Sequence, residues 1–388
     1  MFIRRTDRGA LANWWFTVDH KLLGAFMLLM AIGLLINMAS SPAVATRIGL
    51  QPFHFVTRQI IFMLPAFAML LAMSFLSIKG AKRAAAGAFL LSLVLVFLTL
   101  KIGPEVKGAT RWLNIGSMAI QPSELLKPAF IVIAAFFFSE KLKRPDMPGN
   151  IIAAALLAGV VGMLILQPDY GQTILICTVW AVMLFAAGVS WFWIFGLAGL
   201  GAAGLFTAYL TVHHVASRID RYLQPASGDT YQVDMARDAF ERGGIFGTGP
   251  GGGSIKSIIP DAHSDFTFAV AGEEFGALAC IALVAVYGYV VVRGLTWAMR
   301  EEDPFRRLAV TGLISLFGLQ TIINMGVNVA LLPAKGMTLP FISYGGSSLL
   351  SMAFAMGLVL TLTRRRAAGH VMSGLETPGI PHARTAGA

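Results

Sequence analysis

Charge is scarce in this sequence. Of 388 residues only 13% are Asp, Glu, Lys or Arg, while 56% are hydrophobic. A soluble domain carries roughly 25% charged residues, so the deficit excludes a soluble enzyme and indicates an integral membrane protein. Cysteine is nearly absent. Cys177 and Cys280 are the two, and both fall inside apolar runs. That argues against a disulfide framework or a cysteine metal site and leaves two small buried apolar residues. A cleavable leader is not apparent: "MFIRRTDRGALANWW" has positive charge but no apolar core before a small-residue cleavage site. The first apolar run is therefore expected to stay as an anchor.

What the chain does have is apolar runs of membrane length, for which about 20 residues are needed. Ten are expected, at about 22–39, 59–77, 84–101, 123–139, 150–167, 172–188, 191–211, 266–292, 308–332 and 343–363. The expected fold is an all-α polytopic membrane protein with about ten transmembrane helices. One large extracytoplasmic loop, about 212–265, joins spans seven and eight. Residues 1–21 are expected to be a cytoplasmic N-terminal tail, 22–363 a ten-span membrane domain, and 364–388 a disordered cytoplasmic C-terminal tail of small and polar residues.

The net charge of +10 would suggest nucleic acid in a soluble protein. Its placement points elsewhere. With the N-terminus in the cytoplasm, the cytoplasmic segments hold 18 Lys and Arg and the opposite short loops hold six: Arg47, Arg58, Lys101, Lys107, Arg111 and Lys335. The asymmetry follows the positive-inside rule and needs no nucleic-acid surface.

The long loop is not filler. Tyr231 to Arg242 can form a short amphipathic helix, since Val233, Ala236, Ala239 and Phe240 recur at spacings of three and four. The following "GGIFGTGPGGG" has too many glycines for a regular element. It lacks the Lys-Ser/Thr pair of a phosphate-binding loop and a strand before it.

Charge inside a span is expensive and marks a functional hypothesis. "QPSELLKP" opens span four with Glu124 and Lys127 three residues apart, on one helical face. The pair either joins helices or lines a polar cavity. Before it stand Arg111, which can clamp phosphate oxygens, and Trp112, suited to a membrane interface. Asp169 in "QPDYGQT" can cap span six. "LLPAKGMTLPFISYGGSSLL" holds one charge, Lys335, and its Pro and Gly residues forbid a continuous helix; Ser343 in it is a further candidate for contacting substrate. Irregular backbone at membrane depth must be buried in protein or line a wet cavity. "PDAHSDFTFAVAGEEFG" begins span eight with Asp261, His263, Asp265, Glu273 and Glu274. Four polar segments from distant parts of the chain can thus meet at one outer site.

The stretches "KGATRWLNIG", "QPSELLKP", "QPDYGQT", "GGIFGTGPGGG", "PDAHSDF", "FAVAGEEFG" and "KGMTLPFISYGGSS" together resemble the SEDS family (shape, elongation, division, sporulation) over about residues 15–366. The last stretch looks like the family's cell-division branch. Ser264 stands where the family usually has Thr, and Thr267 where it usually has an Ile- or Val-like residue; neither change removes a charge.

The resemblance implies a peptidoglycan glycosyltransferase of the bacterial inner membrane. It would polymerise lipid II at the division septum with a cognate septal class B penicillin-binding protein, other divisome proteins regulating the pair. The alternatives are a lipid II flippase or a non-catalytic divisome scaffold. Family resemblance also implies inversion at the anomeric carbon, and one displacement suits one positioned base. Asp265 matches the family's essential aspartate. A carboxylate desolvated near a membrane surface has its pKa raised toward useful values. Arg111, Lys127, Lys256 and Lys335 are the cations available to a leaving pyrophosphate. Glu273 or Glu274 can line the cavity, but neighbours on a helix point about 100° apart, so not both. His263 is expected in a hydrogen-bonding loop role. The residues specify no cofactor, and a divalent cation, Mg or Mn, on Asp265 is compatible with the sequence. No ligand spacing specifies one.

Overall fold

The computed structural model describes residues 9–105, 108–116, 118–211, 216, 220, 231–333 and 336–365. Lys335, the loop before Tyr231 apart from residues 216 and 220, and the tail expected after Arg365 lie outside them.

Ten helices stand where ten spans are expected: α2 (His20–Arg47), α3 (His54–Ser74), α4 (Ile78–Ile102), α5 (Pro122–Lys143), α6 (Gly149–Leu166), α7 (Tyr170–Ala186), α8 (Trp191–Thr211), α10 (Thr267–Arg300), α11 (Pro304–Asn328) and α12 (Gly346–Leu362). Six of them are long and apolar enough to cross a membrane on their own: α2, α3, α4, α6, α10 and α11. The chain is a multi-pass membrane protein. Caps set several helix starts. The Asp19 carboxylate accepts from Lys21 N and Leu22 N, and that of Asp303 from Arg306 N beside Pro304. The innermost helices are α11 and α12, while α3 and α4 present their outer faces.

Two further helices flank the bundle. In α1 (Ala10–Thr17), at the end of the expected tail, Trp14 stacks on Phe75 at 4.5 Å and donates to Ser74 Oγ at 3.0 Å. The amphipathic α9 (Tyr231–Gly243) buries Ala236, Ala239 and Gly243 against α10. A hairpin of β1 (Leu113–Ile115) and β2 (Met118–Ile120) pairs Leu113 with Ile120 between α4 and α5. At one end of the bundle Arg293 clamps Asp19 through four contacts of 2.7–3.1 Å. The other end holds the hairpin, α9 and the irregular segments before α10 and α12.

Span eight is broken. Gly276 adopts φ 77° inside α10, a conformation that favours glycine. A break at membrane depth exposes backbone groups that need partners, and the glycine-rich loop supplies them. Thr248 N and Gly249 N donate to the carbonyls of Glu273 and Glu274 at 2.9 and 3.1 Å, while Ala277 N and Leu278 N donate to Gly244 O and Ile245 O at 2.9 and 3.2 Å.

Side chains lock the same contact. The Glu273 carboxylate, with no exposure, accepts from Ser254 N, Ile255 N and Lys256 N at 2.7, 2.8 and 2.9 Å. A Cβ on Gly253 would stand 2.7 Å from that carboxylate, so glycine permits the approach. Glu274 pairs with Lys256, whose ammonium also donates to Ala39 O in α2 at 3.1 Å.

Glu273→Ala leaves three backbone donors without their acceptor and is expected to remove on the order of 3 kcal/mol of stability. Thermal unfolding of the purified protein in detergent measures this. An unchanged midpoint would mean that the loop holds its shape without the carboxylate.

Candidate functional site

Asp265 closes the turn before α10. It is half-buried. Its backbone N donates to Asp261 O at 3.1 Å, and its carbonyl accepts from Asn324 and Asn328 of α11, both at 2.9 Å. Its carboxylate faces the segment before α12: a Cβ on Gly336 would lie 3.3 Å from Asp265 Oδ2.

That segment, 336–345, is irregular but anchored. Phe341 takes φ 65°, strained for a residue with a Cβ. It is buried against Phe26 and Phe317 at 5.8 and 6.3 Å, and Tyr287 donates to Pro340 O at 2.5 Å. Ser343 Oγ accepts from Leu339 N at 2.9 Å and from Thr267 Oγ1 at 3.2 Å. Ser343 therefore braces the segment onto the start of α10 and is itself 3% exposed.

His263 lies flat on Phe55, ring centroids 4.1 Å apart, with Tyr344 at 5.4 Å. Its carbonyl accepts from Tyr344 N at 2.9 Å. Burial lowers its pKa to about 4, helped by Arg47 and opposed by Asp261. The ring is a neutral packing element.

Glu124 and Lys127 pair at 3.0 Å in the first turns of α5. They line no open cavity, being 4% and 1% exposed. Lys127 also donates to Gln172 Oε1 at 2.7 Å and Gln320 Oε1 at 3.3 Å, and Gln172 Nε2 to Glu124 Oε1 at 2.8 Å. The network knits α5, α7 and α11. Glu124 Oε2 has no partner among the described residues.

Asp169 occupies the N-cap position of α7 without a full capping hydrogen bond, and its carboxylate reaches Arg111 at 3.7 Å and Gln121 Nε2 at 3.3 Å. Burial raises its pKa, opposed by Arg111 and Lys127. Arg111 further donates to Gln167 O at 3.3 Å and to Pro168 O, and keeps a quarter of its side chain exposed. The neighbouring Trp112 is half-buried.

The structure thus brings Asp265, His263 and Ser343 together around the 336–345 segment, with Arg111, Trp112 and Asp169 on the α5–α7 side. It gives Glu273, Glu274 and Lys256 to the glycine-rich loop. Lys127 is a buried ion-pair partner rather than a cation open to a ligand. Among the described residues, no group of three or more His, Cys, Asp and Glu is placed to hold a metal ion. Sequence reasoning missed Asn324 and Asn328, although two carboxamides four residues apart in an apolar span signal one polar helical face.

The family model FTSW_RODA_SPOVE, described as "Cell cycle protein", matches residues 19–368. The "Probable peptidoglycan glycosyltransferase FtsW" of Caulobacter vibrioides is 44% identical over 371 residues, 95% of each chain. The protein of that name from Trichlorobacter lovleyi is 34% identical, covering 89% of this chain and 93% of its own. Among solved structures, a chain from "Structural coordination of polymerization and crosslinking by a peptidoglycan synthase complex" matches with TM-score 0.75 at 27% identity, covering 90% of this chain and 98% of that one. The rod shape determining protein RodA of Thermus thermophilus matches with TM-score 0.66 at 27% identity, covering 90% and 97%. The chain belongs to the SEDS family of FtsW, RodA and SpoVE proteins.

Proposed function

We propose that this chain is a peptidoglycan glycosyltransferase that joins lipid II units into glycan strands, with undecaprenyl pyrophosphate leaving, and that Asp265 is its general base. The observation that carries the reading is the place of that carboxylate. It is half-buried, opposite Gly336, where the long loop meets α10. The names of the FtsW relatives support the activity.

In the reaction an acceptor sugar hydroxyl attacks the anomeric carbon of the lipid-linked chain. Asp265 takes the hydroxyl proton as the new carbon–oxygen bond forms, and the bond to the pyrophosphate oxygen breaks with its electron pair. Of the four cations proposed for that leaving group, Lys127 and Lys256 are committed to Glu124 and Glu274. Arg111 retains exposed surface and takes the role here, with Lys335 the other candidate. A bound divalent cation would supply further charge neutralisation, with Asp265 as a carboxylate that would hold it.

The working assembly pairs the chain with a septal class B penicillin-binding protein, a reading supported by the match to a chain of a peptidoglycan synthase complex. Other divisome proteins complete it. The chain lies in the bacterial inner membrane at the division septum, with both termini cytoplasmic and Asp265 facing the periplasm, as its charge asymmetry supports.

Reconstitution with the partner transpeptidase and labelled lipid II tests this. Wild type is expected to make glycan chains, and Asp265→Asn to be slower by about 10²- to 10⁴-fold, the usual contribution of a positioned base. Lipid II crossing the bilayer without polymer would instead favour transport. Arg111→Lys, which keeps a charge beside the buried Asp169, is expected to lower activity while folding normally. Lys127→Ala should act through the fold, since an unpaired buried carboxylate costs about 3–5 kcal/mol. The double variant Glu124→Gln/Lys127→Met should recover much of the melting temperature. Activity lost from Lys127→Ala without any loss of stability would give Lys127 back to the substrate.

His263 makes a pH prediction. Its pKa is about 4 in the folded chain against an ordinary 6.5, so the unfolded chain binds a proton that the folded chain refuses. Stability is therefore full above about pH 6.5 and lost as pH falls toward 4. In His263→Phe, denaturation midpoints across that window should fall less steeply than in wild type.

A further inference from the structure

Three carboxamides lie on one face of α11 at intervals of four residues: Gln320, Asn324 and Asn328, which are 1%, 2% and 0% exposed. Each donates to backbone outside its own helix. Gln320 Nε2 donates to Thr338 O at 3.0 Å. Asn324 Nδ2 donates to Met337 O at 2.6 Å and to Asp265 O at 2.9 Å. Asn328 Nδ2 donates to Asp265 O at 2.9 Å, while its Oδ1 accepts from Ala269 N at 3.0 Å. Both backbone groups facing Asn324 are acceptors, so its nitrogen must point at them.

Asn328 does something specific. Ala269 N, one of the first-turn N–H groups that a helix leaves without an i−4 partner, donates to Phe266 O at 3.1 Å and to Asn328 Oδ1 at 3.0 Å. The Asn328 carboxamide thus caps the first turn of α10 with its oxygen while its nitrogen holds the Asp265 carbonyl. It thereby fastens Asp265, the residue before the N-cap Phe266, to α11. Asn324 ties the same carbonyl to Met337, next to Gly336, the residue the Asp265 carboxylate faces. The lowest rung, Gln320, pins Thr338 and accepts from Lys127 at 3.3 Å.

We propose that Gln320, Asn324 and Asn328 form a carboxamide ladder that positions Asp265 against Gly336–Thr338, a role that rests on Asp265 being the base. They are positioning residues and act through Asp265. Without Asn328, the Asp265 carbonyl loses one of its two carboxamide donors and Ala269 N loses its cap, so the turn that carries the carboxylate is free to shift. A displacement of about 1 Å at a reacting group can cost on the order of 10²-fold in rate.

The test uses full-length protein with its transpeptidase partner and labelled lipid II. In Asn328→Ala and in the isosteric Asn324→Asp, kcat is expected to fall about 10- to 100-fold, with KM changed by about twofold or less. Hydrogen exchange of amides 266–269 and 336–339 is expected to quicken in both variants, while exchange in α3 and α4 stays at the wild-type rate. A purely structural role predicts loss of folded protein with normal kcat per folded molecule. Wild-type kcat, or wild-type exchange in those two segments, overturns the proposal. Should Asn324→Asp fail to fold, Asn328→Ala and Gln320→Met carry the same two readouts. If Asp265→Asn polymerises at the wild-type rate, the base assignment falls by itself, and the exchange experiment still decides whether the ladder holds the two segments together.

Discussion

Three backbone N–H groups converge on the Glu273 carboxylate, and the architecture of the Asp265 end depends on that contact. Span eight has to break, and a broken helix in a low-dielectric slab leaves carbonyls and N–H groups that nothing in lipid can satisfy. The glycine-rich loop satisfies them, because glycine lets its backbone run within hydrogen-bonding distance of α10. A carboxylate with no exposure binds the loop at one residue, and the next residue, Glu274, holds Lys256, which reaches α2. Two adjacent glutamates thus join three elements. The turn that carries Asp265 lies between this loop and the helix it fastens to.

Charged side chains at this end fall into two groups, and their surroundings explain the division. Glu124, Lys127, Glu273, Glu274 and Lys256 have partners within the chain and almost no exposure. Releasing any one to a substrate would strand its partner in a medium where an unpaired charge is costly. Asp265 and Arg111 are different: both keep part of their surface open. In the proposed function, chemistry on an incoming polar substrate falls to the partly exposed groups. The enclosed ones set where those groups stand.

Much of this was legible in the sequence, for physical reasons that also mark where legibility ends. Ten apolar runs reveal ten helices because hydrocarbon thickness fixes their length. The amphipathic α9 was readable from Val233, Ala236, Ala239 and Phe240 at helical spacing. The β1–β2 hairpin was not, since three-residue strands carry no usable period, and α1 is too short to separate from a tail. Glu273 read as a possible cavity residue because nothing in its own neighbourhood reveals that Ser254, Ile255 and Lys256 would return to cap it. Lys127 showed its partner Glu124 three residues away, but not Gln172 or Gln320, which arrive from other helices. Asn324 and Asn328 were visible as polar residues in an apolar span; which backbone groups they answer depends on how the chain doubles back.

The site is held most firmly from below and behind. Segment 336–345 rests on α11 through Gln320 and Asn324, is driven into the core by Phe341 in a strained conformation, and is braced to α10 by Ser343. Strain of that kind persists only where surrounding packing over-determines it, and here Phe26, Phe317 and Tyr287 supply the packing. As the proposed proton acceptor for a sugar hydroxyl, Asp265 must be held to within about 0.5 Å of its working position. A loop in the membrane interface cannot meet that tolerance alone. The fold meets it by placing the carboxylate on a loop whose backbone is hydrogen-bonded to a buried helix, so that Asp265 keeps part of its surface open and has the fixity of a core residue.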